Sequence, residues 1–327
     1  GCGVRLGGAN ATSALPAGEV AAEQYLSVDG FEATAHYEYS TREDRRAHIR
    51  IDPDDGRSYI EYIAPARFAG NVRAYNGSAV VEYNATENEY VRIDTANIRN
   101  FEDGAERIEL AVDAAREEGT TTVERPPAGG APLPKVPSGS TEDRASNRSF
   151  EVSYDGTETV AGREAHVISY EPVDDVDSGI LSQTVWMDTE SFFTLKSTQV
   201  ARFDGERSTS TFRLSNVTVE PGFTASDFAF DPPPDATLNE SDSYGVTGYD
   251  SRAAVAEVAS LSVPTPDVPD SFSLSRAIRV VGADFTAVQL QYQTSNSRLF
   301  VTKTLEDGYA NLTEGERVTI GSQTGRY

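Results

Sequence analysis

Cysteine, lysine and long apolar runs are almost missing from this sequence. Cys2 is the single cysteine, so a disulfide framework within the chain is excluded. Only three lysines are present, Lys135, Lys196 and Lys303. No apolar run approaches the roughly 18 residues that a helix needs to cross a bilayer. The sequence given therefore predicts neither a disulfide-stabilised scaffold nor an integral membrane protein.

Acidic residues dominate the charged positions. Asp and Glu number 52 against 28 Lys and Arg, a net charge of −24. Nucleic acids and anionic membrane surfaces attract basic proteins, so this balance argues against binding either of them by charge. At low salt such a charge repels itself, whereas at about 1 M salt the Debye length is only about 3 Å. The acidic, lysine-poor composition predicts a halophilic archaeal protein; a merely acidic surface protein is the alternative.

Seven N-x-S/T sequons favour a location outside the cytoplasm. They begin at Asn10, Asn76, Asn84, Asn147, Asn216, Asn239 and Asn311. Asn76 and Asn84 are the best candidates for glycosylation, because they flank a hairpin that we expect to be exposed.

The first residues, "GCGVRLGGANATSALPAG", are rich in small side chains. A small residue followed by cysteine resembles the end of a bacterial or archaeal lipobox. This resemblance predicts that Cys2 carries a lipid, that residues 1–18 are a flexible tether, and that the protein is anchored at the cell surface. The alternative is an accidental cysteine in a frayed terminus.

Periodicity indicates a mainly β chain. Stretches such as "FEATAHYEYS" and "RRAHIRID" alternate apolar and polar residues, which is typical of strands with one buried face. Asn76-Gly77 between two apolar runs predicts a tight hairpin. The period changes in "FEDGAERIELAVDAAREEG", which predicts an amphipathic helix over 103–118. Residues 123–147 are rich in proline and glycine and predict a mobile loop.

Two domains follow from this pattern. Residues 19–238 contain most of the predicted strands and close with "FTASDFAFDPPPD", in which three prolines end the sheet. Residues 250–327 begin with a short helix and continue with strands, which predicts a small α+β domain.

No pattern indicates an enzyme. His36, His48 and His166 all fall within predicted strands, where a histidine is more often a sheet-face residue than a general base. The sequence contains no nucleophile-elbow serine, no phosphate-binding glycine loop and no metal-spaced Cys/His set. We therefore expect no catalytic residue, no metal and no cofactor.

Four ordered segments resemble the LolA family of lipoprotein carriers and its RseB/MucB-type relatives. They are "YNGSAVVEYNATENEYVRID", "YDGTETVAGREAHVISYEP", "VWMDTESFFTLKSTQ" and "FTASDFAFDPPPD". Together the segments extend the resemblance over about residues 19–235. The resemblance rests on the order in which they occur. One feature departs from LolA proper, which has an Arg-Pro near the second strand where this chain has Ile51-Asp52-Pro53.

The resemblance implies a curved antiparallel half-barrel with helices in its concave mouth. Members of the family bind acyl chains or lipidated polypeptides on the apolar inner face, so we expect a non-catalytic carrier of a lipid or lipidated protein. Alternate residues of a strand lie on the same face, and the face richer in apolar side chains supplies the cavity candidates. They are Phe31, Tyr37, Tyr39, Ile49, Phe193, Leu195, Phe212 and Leu214. The predicted lid is the 103–118 helix, through Ile108, Val112 and Ala115.

Two alternatives stay open at this point. An inner apolar face is either a filled core or a partly empty ligand cavity, and both have the same sequence pattern. The second function that the resemblance allows is an RseB-like envelope sensor, whose half-barrel reads a signal and whose second domain contacts a partner protein.

Overall fold

Strands form most of the computed structural model of the chain. The structure describes residues 15–97, 102–117, 120–123, 148–174, 179–203, 205–283, 285–294, 298–305, 317–320 and 323–326. The chain divides into two units, the first comprising Gly1–Arg92 and Arg99–Leu238, the second Ile93–Ile98 and Asn239–Tyr327.

Two antiparallel meanders build the sheet of the first unit. The strands of the first meander are β1 (Phe31–Tyr39), β2 (Arg45–Asp52), β3 (Arg57–Ala64), β4 (Val72–Tyr75) and β5 (Ala79–Asn84). Those of the second are β7 (Thr120–Val123), β8 (Arg148–Val160), β9 (Arg163–Pro172), β10 (Gly179–Asp188), β11 (Thr194–Phe203) and β12 (Glu206–Val219). Pairing of β1 with β12 joins the two meanders into one curved antiparallel sheet.

Helices α1 (Gly18–Leu26) and α2 (Glu102–Arg116) cover one face of that sheet. The predicted amphipathic stripe of α2 is buried, because residues three or four apart lie on one side of a helix. We call the covered side the inner face. The sequence prediction of a LolA-like curved antiparallel sheet with helices against it is confirmed.

Strand β6 (Glu89–Ala96) contributes to both units. Its first residues pair in parallel with β13 (Thr237–Leu238) in the first unit. Residues Ile93–Ala96 pair in parallel with β14 (Tyr244–Tyr249) in the second unit. The sequence pattern assigns residues 19–238, and with them the whole of β6, to the first domain, whereas in the structure Ile93–Ile98 belong to the second unit.

The second unit continues from β14 through β15 (Ser273–Gly282), β16 (Thr286–Gln293) and β17 (Arg298–Thr304), all antiparallel. Helix α3 (Arg252–Val258) begins at Ser251, whose side chain accepts a hydrogen bond from the Ala254 N–H. Val255 of α3 packs into a separate apolar cluster with Leu290 and Val288. Strands β18 (Arg317–Ile320) and β19 (Gln323–Arg326) form a hairpin. None of the helices described in this chain is long and apolar enough to cross a membrane.

Candidate functional site

The inner face contains most of the predicted cavity residues. Six are almost fully buried: Phe31, Ile49, Phe193, Leu195, Phe212 and Leu214. Tyr37 is half-buried and packs against the same apolar cluster. Tyr39 is half-buried and lies at the solvent end of β1, where the Arg42 guanidinium stands 3.7 Å from the centre of its ring.

Aromatic pairs fill the centre of this face. The rings of Phe31 and Phe193 stack with centroids 4.2 Å apart. Tyr37 and Phe212 lie opposite each other on paired strands, and their ring centroids are 5.4 Å apart. Such pairs contribute about 0.5–1.5 kcal/mol beyond their buried area. In this conformation the side chains of the inner face therefore form a packed core with the helices.

The helices meet this face mainly through small residues. The predicted lid residues Ile108, Val112 and Ala115 are buried in the same cluster as the sheet aromatics. The other helical members of the cluster are Ala21, Ala22, Tyr25, Ala105 and Ala111. An alanine contributes one methyl group to the contact, so this helix pair buries less apolar surface per residue than a Leu- or Phe-rich helix would.

Close contact holds α1 and α2 to each other. The Gly18 N–H donates a hydrogen bond to the Asp113 carboxylate at 2.7 Å. A Cβ at Gly18 would lie 2.3 Å from the Glu109 carbonyl oxygen, so only glycine allows this approach. At the other glycine of the pair, Gly104, a Cβ would meet the Tyr25 ring at an ordinary 3.6 Å.

Apart from Tyr39, sequence reasoning missed the members of a row of polar side chains that crosses the inner face. The pairing register places five residues opposite one another on neighbouring strands: Tyr170, Gln183, Gln199, Ser210 and Tyr39. We call these residues the polar row. Alternation within a strand predicts which face each of these residues occupies. Only the pairing register between strands shows that the five lie side by side.

An open cleft of about 400 Å³ lies beside the turn between β1 and β2, next to the end of β3. Its lining residues are His36, Tyr37, Glu38, Glu43, Asp44, Arg45, Arg46, Ala64 and Pro65. Tyr37 also belongs to the inner face, so the cleft opens beside the Tyr39 end of the polar row. Acidic and basic groups both line it.

A polar cluster fixes the turn between β10 and β11. Asp188 is 1% exposed and accepts hydrogen bonds from Arg163 (Nη2, 3.0 Å), from the Ser191 hydroxyl at 2.7 Å and from the Ser191 N–H at 3.0 Å. Burial alone would raise the pKa of Asp188, but the hydrogen bonds from Arg163 and Ser191 outweigh it and lower the pKa. The charged carboxylate is therefore part of the folded structure.

The histidines have structural surroundings. His166 is buried, contacts the Tyr154 hydroxyl through Nδ1 at 3.1 Å, and has a pKa lowered by burial. His36 Nε2 lies 2.8 Å from the Ser215 hydroxyl, and burial together with Arg213 lowers its pKa. His48 is exposed on β2. In the part of the chain that the structure describes, no three His, Cys, Asp or Glu residues are grouped to hold a metal ion.

The two glycosylation candidates differ in their surroundings. Asn76 is exposed, and its side-chain oxygen accepts hydrogen bonds from the Ser78 and Ala79 N–H groups. The Asn84 amide nitrogen, the atom that would carry a glycan, donates to Glu87 at 2.8 Å. Cys2 and residues 124–147 of the predicted loop lie outside the described residues.

Comparisons with known proteins give one family-model match and several similar structures. The family model of the MucB/RseB N-terminal domain matches residues 77–230. The MucA/MucB complex of Pseudomonas aeruginosa is similar at 12% identity over 93% of this chain and 85% of that chain, with a TM-score of 0.40. A conserved protein from Thermus thermophilus is similar at 10% identity over 68% of this chain and 98% of that one, with a TM-score of 0.40.

A LolA superfamily protein from Nitrosomonas europaea is similar at 12% identity over 68% of this chain and 99% of that one, with a TM-score of 0.28. No curated protein matches the chain. The family-model match and the curved antiparallel sheet covered by α1 and α2 together assign the LolA/RseB-like fold to this chain, as the ordered sequence segments predicted.

Proposed function

We propose that this protein is a non-catalytic carrier that holds an acyl chain, from a lipid or a lipidated polypeptide, between the inner face and the α1–α2 pair. The observation that carries the proposal is the composition of the packed cluster. Its sheet side is built from large apolar residues such as Phe31 and Phe212, whereas its helix side is mostly alanine.

This asymmetry makes exchange of the helices for a ligand energetically reasonable. Each buried methylene contributes about 0.8 kcal/mol, so a dozen methylenes of an acyl chain contribute about 10 kcal/mol before the costs of binding. The alanines of the helix pair offer about one methyl group each to the same surface. An acyl chain therefore replaces these methyl contacts with contacts of its own, and it also displaces the larger side chains of Tyr25, Ile108 and Val112.

Titration of delipidated protein with a fluorescent phospholipid at about 2 M salt tests the carrier function. Saturable binding that unlabelled lipid competes away is the expected result. Val112→Ala removes two methyl groups from the side of α2 that packs against the sheet. The helix should then separate from the sheet more easily, so the lipid should associate faster. Leu110→Ala is the matched control, because Leu110 lies on the same helix and is 39% exposed. Absence of saturable binding in the parent protein would falsify the carrier function.

An envelope sensor that binds a partner protein is the second candidate. The match to the MucB/RseB N-terminal domain, followed in this chain by a second unit, favours it. The similar Pseudomonas aeruginosa structure is a complex of MucB with MucA. Native mass spectrometry of the protein extracted from its own membranes separates the two functions. Bound lipid without protein supports the carrier, whereas a stoichiometric polypeptide without lipid supports the sensor.

We also propose that Cys2 carries a lipid anchor that holds the protein at the cell surface. A single acyl chain binds membranes only marginally, so a two-chain lipid on the thiol is expected. Cys2→Ser should then appear in the culture medium. Retention of this variant on membranes after detergent-free washing would contradict the anchor.

A further inference from the structure

The polar row becomes progressively more buried along its length. At one end, Tyr39, Ser210 and Gln199 are all half-buried. Gln183 is 2% exposed, and Tyr170 is completely buried. The row therefore leads from the solvent end of β1 into the interior, where Tyr170 is a member of the apolar cluster.

The hydroxyl of Tyr170 is the unusual group at the inner end. In the described part of the chain this buried oxygen has no hydrogen-bond partner. A buried hydroxyl left unsatisfied is unfavourable, and phenylalanine would fill the same space without that cost. A hydrogen bond within the fold therefore does not account for a tyrosine at this position, and the hydroxyl would be free to bond a molecule that displaces the helices and reaches it.

Polarity changes along the inner face away from the row. The pairs at the far end are apolar: Ala33 opposite Ile49, and Phe31 opposite Ile51. At the solvent end of the row, the exposed Arg42 lies over Tyr39, and the open cleft begins beside Tyr37. A molecule on this face would meet an apolar surface, then neutral hydrogen-bonding groups, and then both basic and acidic groups next to solvent.

We infer that the polar row binds the neutral, oxygen-rich linkage of an amphiphile, the ester, ether, amide or hydroxyl groups that join a head to its acyl chains. The inference rests on the proposed carrier function and fixes the direction of the ligand. The chains lie towards Phe31 and Ile49, the linkage accepts a hydrogen bond from Tyr170, and the head points to the cleft. The row itself has no charged member, which favours a neutral linkage over an ionised phosphate at this point.

Tyr170→Phe provides the test, with three fluorescent probes. Diphenylhexatriene has no oxygen, a labelled phosphatidylglycerol has ester linkages, and a labelled N-palmitoyl peptide has an amide. The variant should keep its affinity for diphenylhexatriene within about twofold and lose about fivefold for the phospholipid, the peptide or both, as expected for one neutral hydrogen bond. Which of the two oxygen-containing probes responds identifies the source of the linkage.

Stability measurements separate a binding role from a structural one. Without ligand, Tyr170→Phe should unfold at the same or a higher urea concentration, because it removes an unsatisfied hydroxyl. Tyr75→Phe is the matched control: Tyr75 is 4% exposed and its hydroxyl donates to the Gly77 carbonyl at 3.2 Å. The control should lower stability and leave all three affinities unchanged. Gln183→Leu is a second variant that should show the same selective loss as Tyr170→Phe.

The outcomes distinguish the inference from the function on which it rests. Two results would overturn the role of the row and leave the carrier function standing. One is an equal loss of affinity for all three probes, and the other is unchanged affinity of both variants for both oxygen-containing probes. If no probe binds the parent protein, the carrier function fails and the role of the row fails with it.

Discussion

Gly18→Ala tests whether the α1–α2 pair depends on the close approach of the two helices. The new Cβ would lie 2.3 Å from the Glu109 carbonyl oxygen and 2.8 Å from the Asp113 Cγ. The carbonyl belongs to the α2 backbone and cannot rotate away, so the helices must separate. Overpacking of this kind costs about 1–3 kcal/mol, against which alanine gains about 0.5–1 kcal/mol from its helix propensity. We expect a net destabilisation of about 1–2 kcal/mol.

Gly104→Ala is the matched control in the partner helix. Its Cβ would meet the Tyr25 ring at 3.6 Å, an ordinary contact, so the propensity gain should remain and the variant should be more stable by about 0.5–1 kcal/mol. Trp186, the single tryptophan, lies in the first unit, and its fluorescence in a urea titration reports unfolding there. A Gly18→Ala protein as stable as its parent would refute the close-packed helix pair.

Three further predictions follow from the core, the buried carboxylate and the net charge. Phe212, 4% exposed, lies in the packed cluster, and Phe212→Ala should destabilise by about 3–5 kcal/mol in urea unfolding; a loss below about 1 kcal/mol would indicate an unfilled cavity. The lowered pKa of Asp188 means that its charged form stabilises the fold above the unfolded value of 3.8 and that this contribution disappears as pH falls through the lower, folded pKa. Arg163→Ala should cost about 2–3 kcal/mol near neutral pH and move this acid loss to higher pH; urea titrations from about pH 3 to 7 would show neither change if the pair were unimportant. With a net charge of −24, stability by circular dichroism should be greater at about 2 M than at about 0.1 M salt, and equal stability would contradict the halophilic interpretation.

Local sequence signals predicted many of the elements. Asn76-Gly77 lies between β4 and β5 as the turn signal indicated, with Gly77 at φ +92°, a conformation that glycine adopts without strain. The apolar period of "ERIELAVDAA" predicted α2 and its buried stripe. Alternation in β1 placed Phe31 on the inner face. Each of these features depends on residues close together in the chain, which is why the sequence alone was sufficient.

Features made by distant segments were not predictable in the same way. Parallel pairing of β6 with β14 joins Ile93 to Tyr244, and neither strand contains a local signal for the other. The burial of Phe223, Phe228 and Phe230 also depends on segments that are distant in the chain. All three lie in the closing segment "FTASDFAFDPPPD", but only Phe228 is fully buried, whereas Phe223 and Phe230 are half-buried. Burial there depends on the elements packed against the segment, which periodicity does not identify.

The polar row depends most strongly on register, and the Asp188 cluster explains how one part of that register is fixed. Its carboxylate binds the Ser191 N–H and hydroxyl, and the Asp188 N–H donates to the Phe193 carbonyl at 3.0 Å. These bonds define the turn from which β10 and β11 run back together, and this turn, with the register shift between Trp186 and Met187 that follows it, places Gln183 opposite Gln199. A slip of one residue would turn a strand's inner side chains outward. The buried carboxylate thus acts on stability and, through the register, on the alignment of the groups that we assign to the ligand. Arg163→Ala should consequently weaken phospholipid binding even where the variant remains folded, although Arg163 is not a member of the polar row.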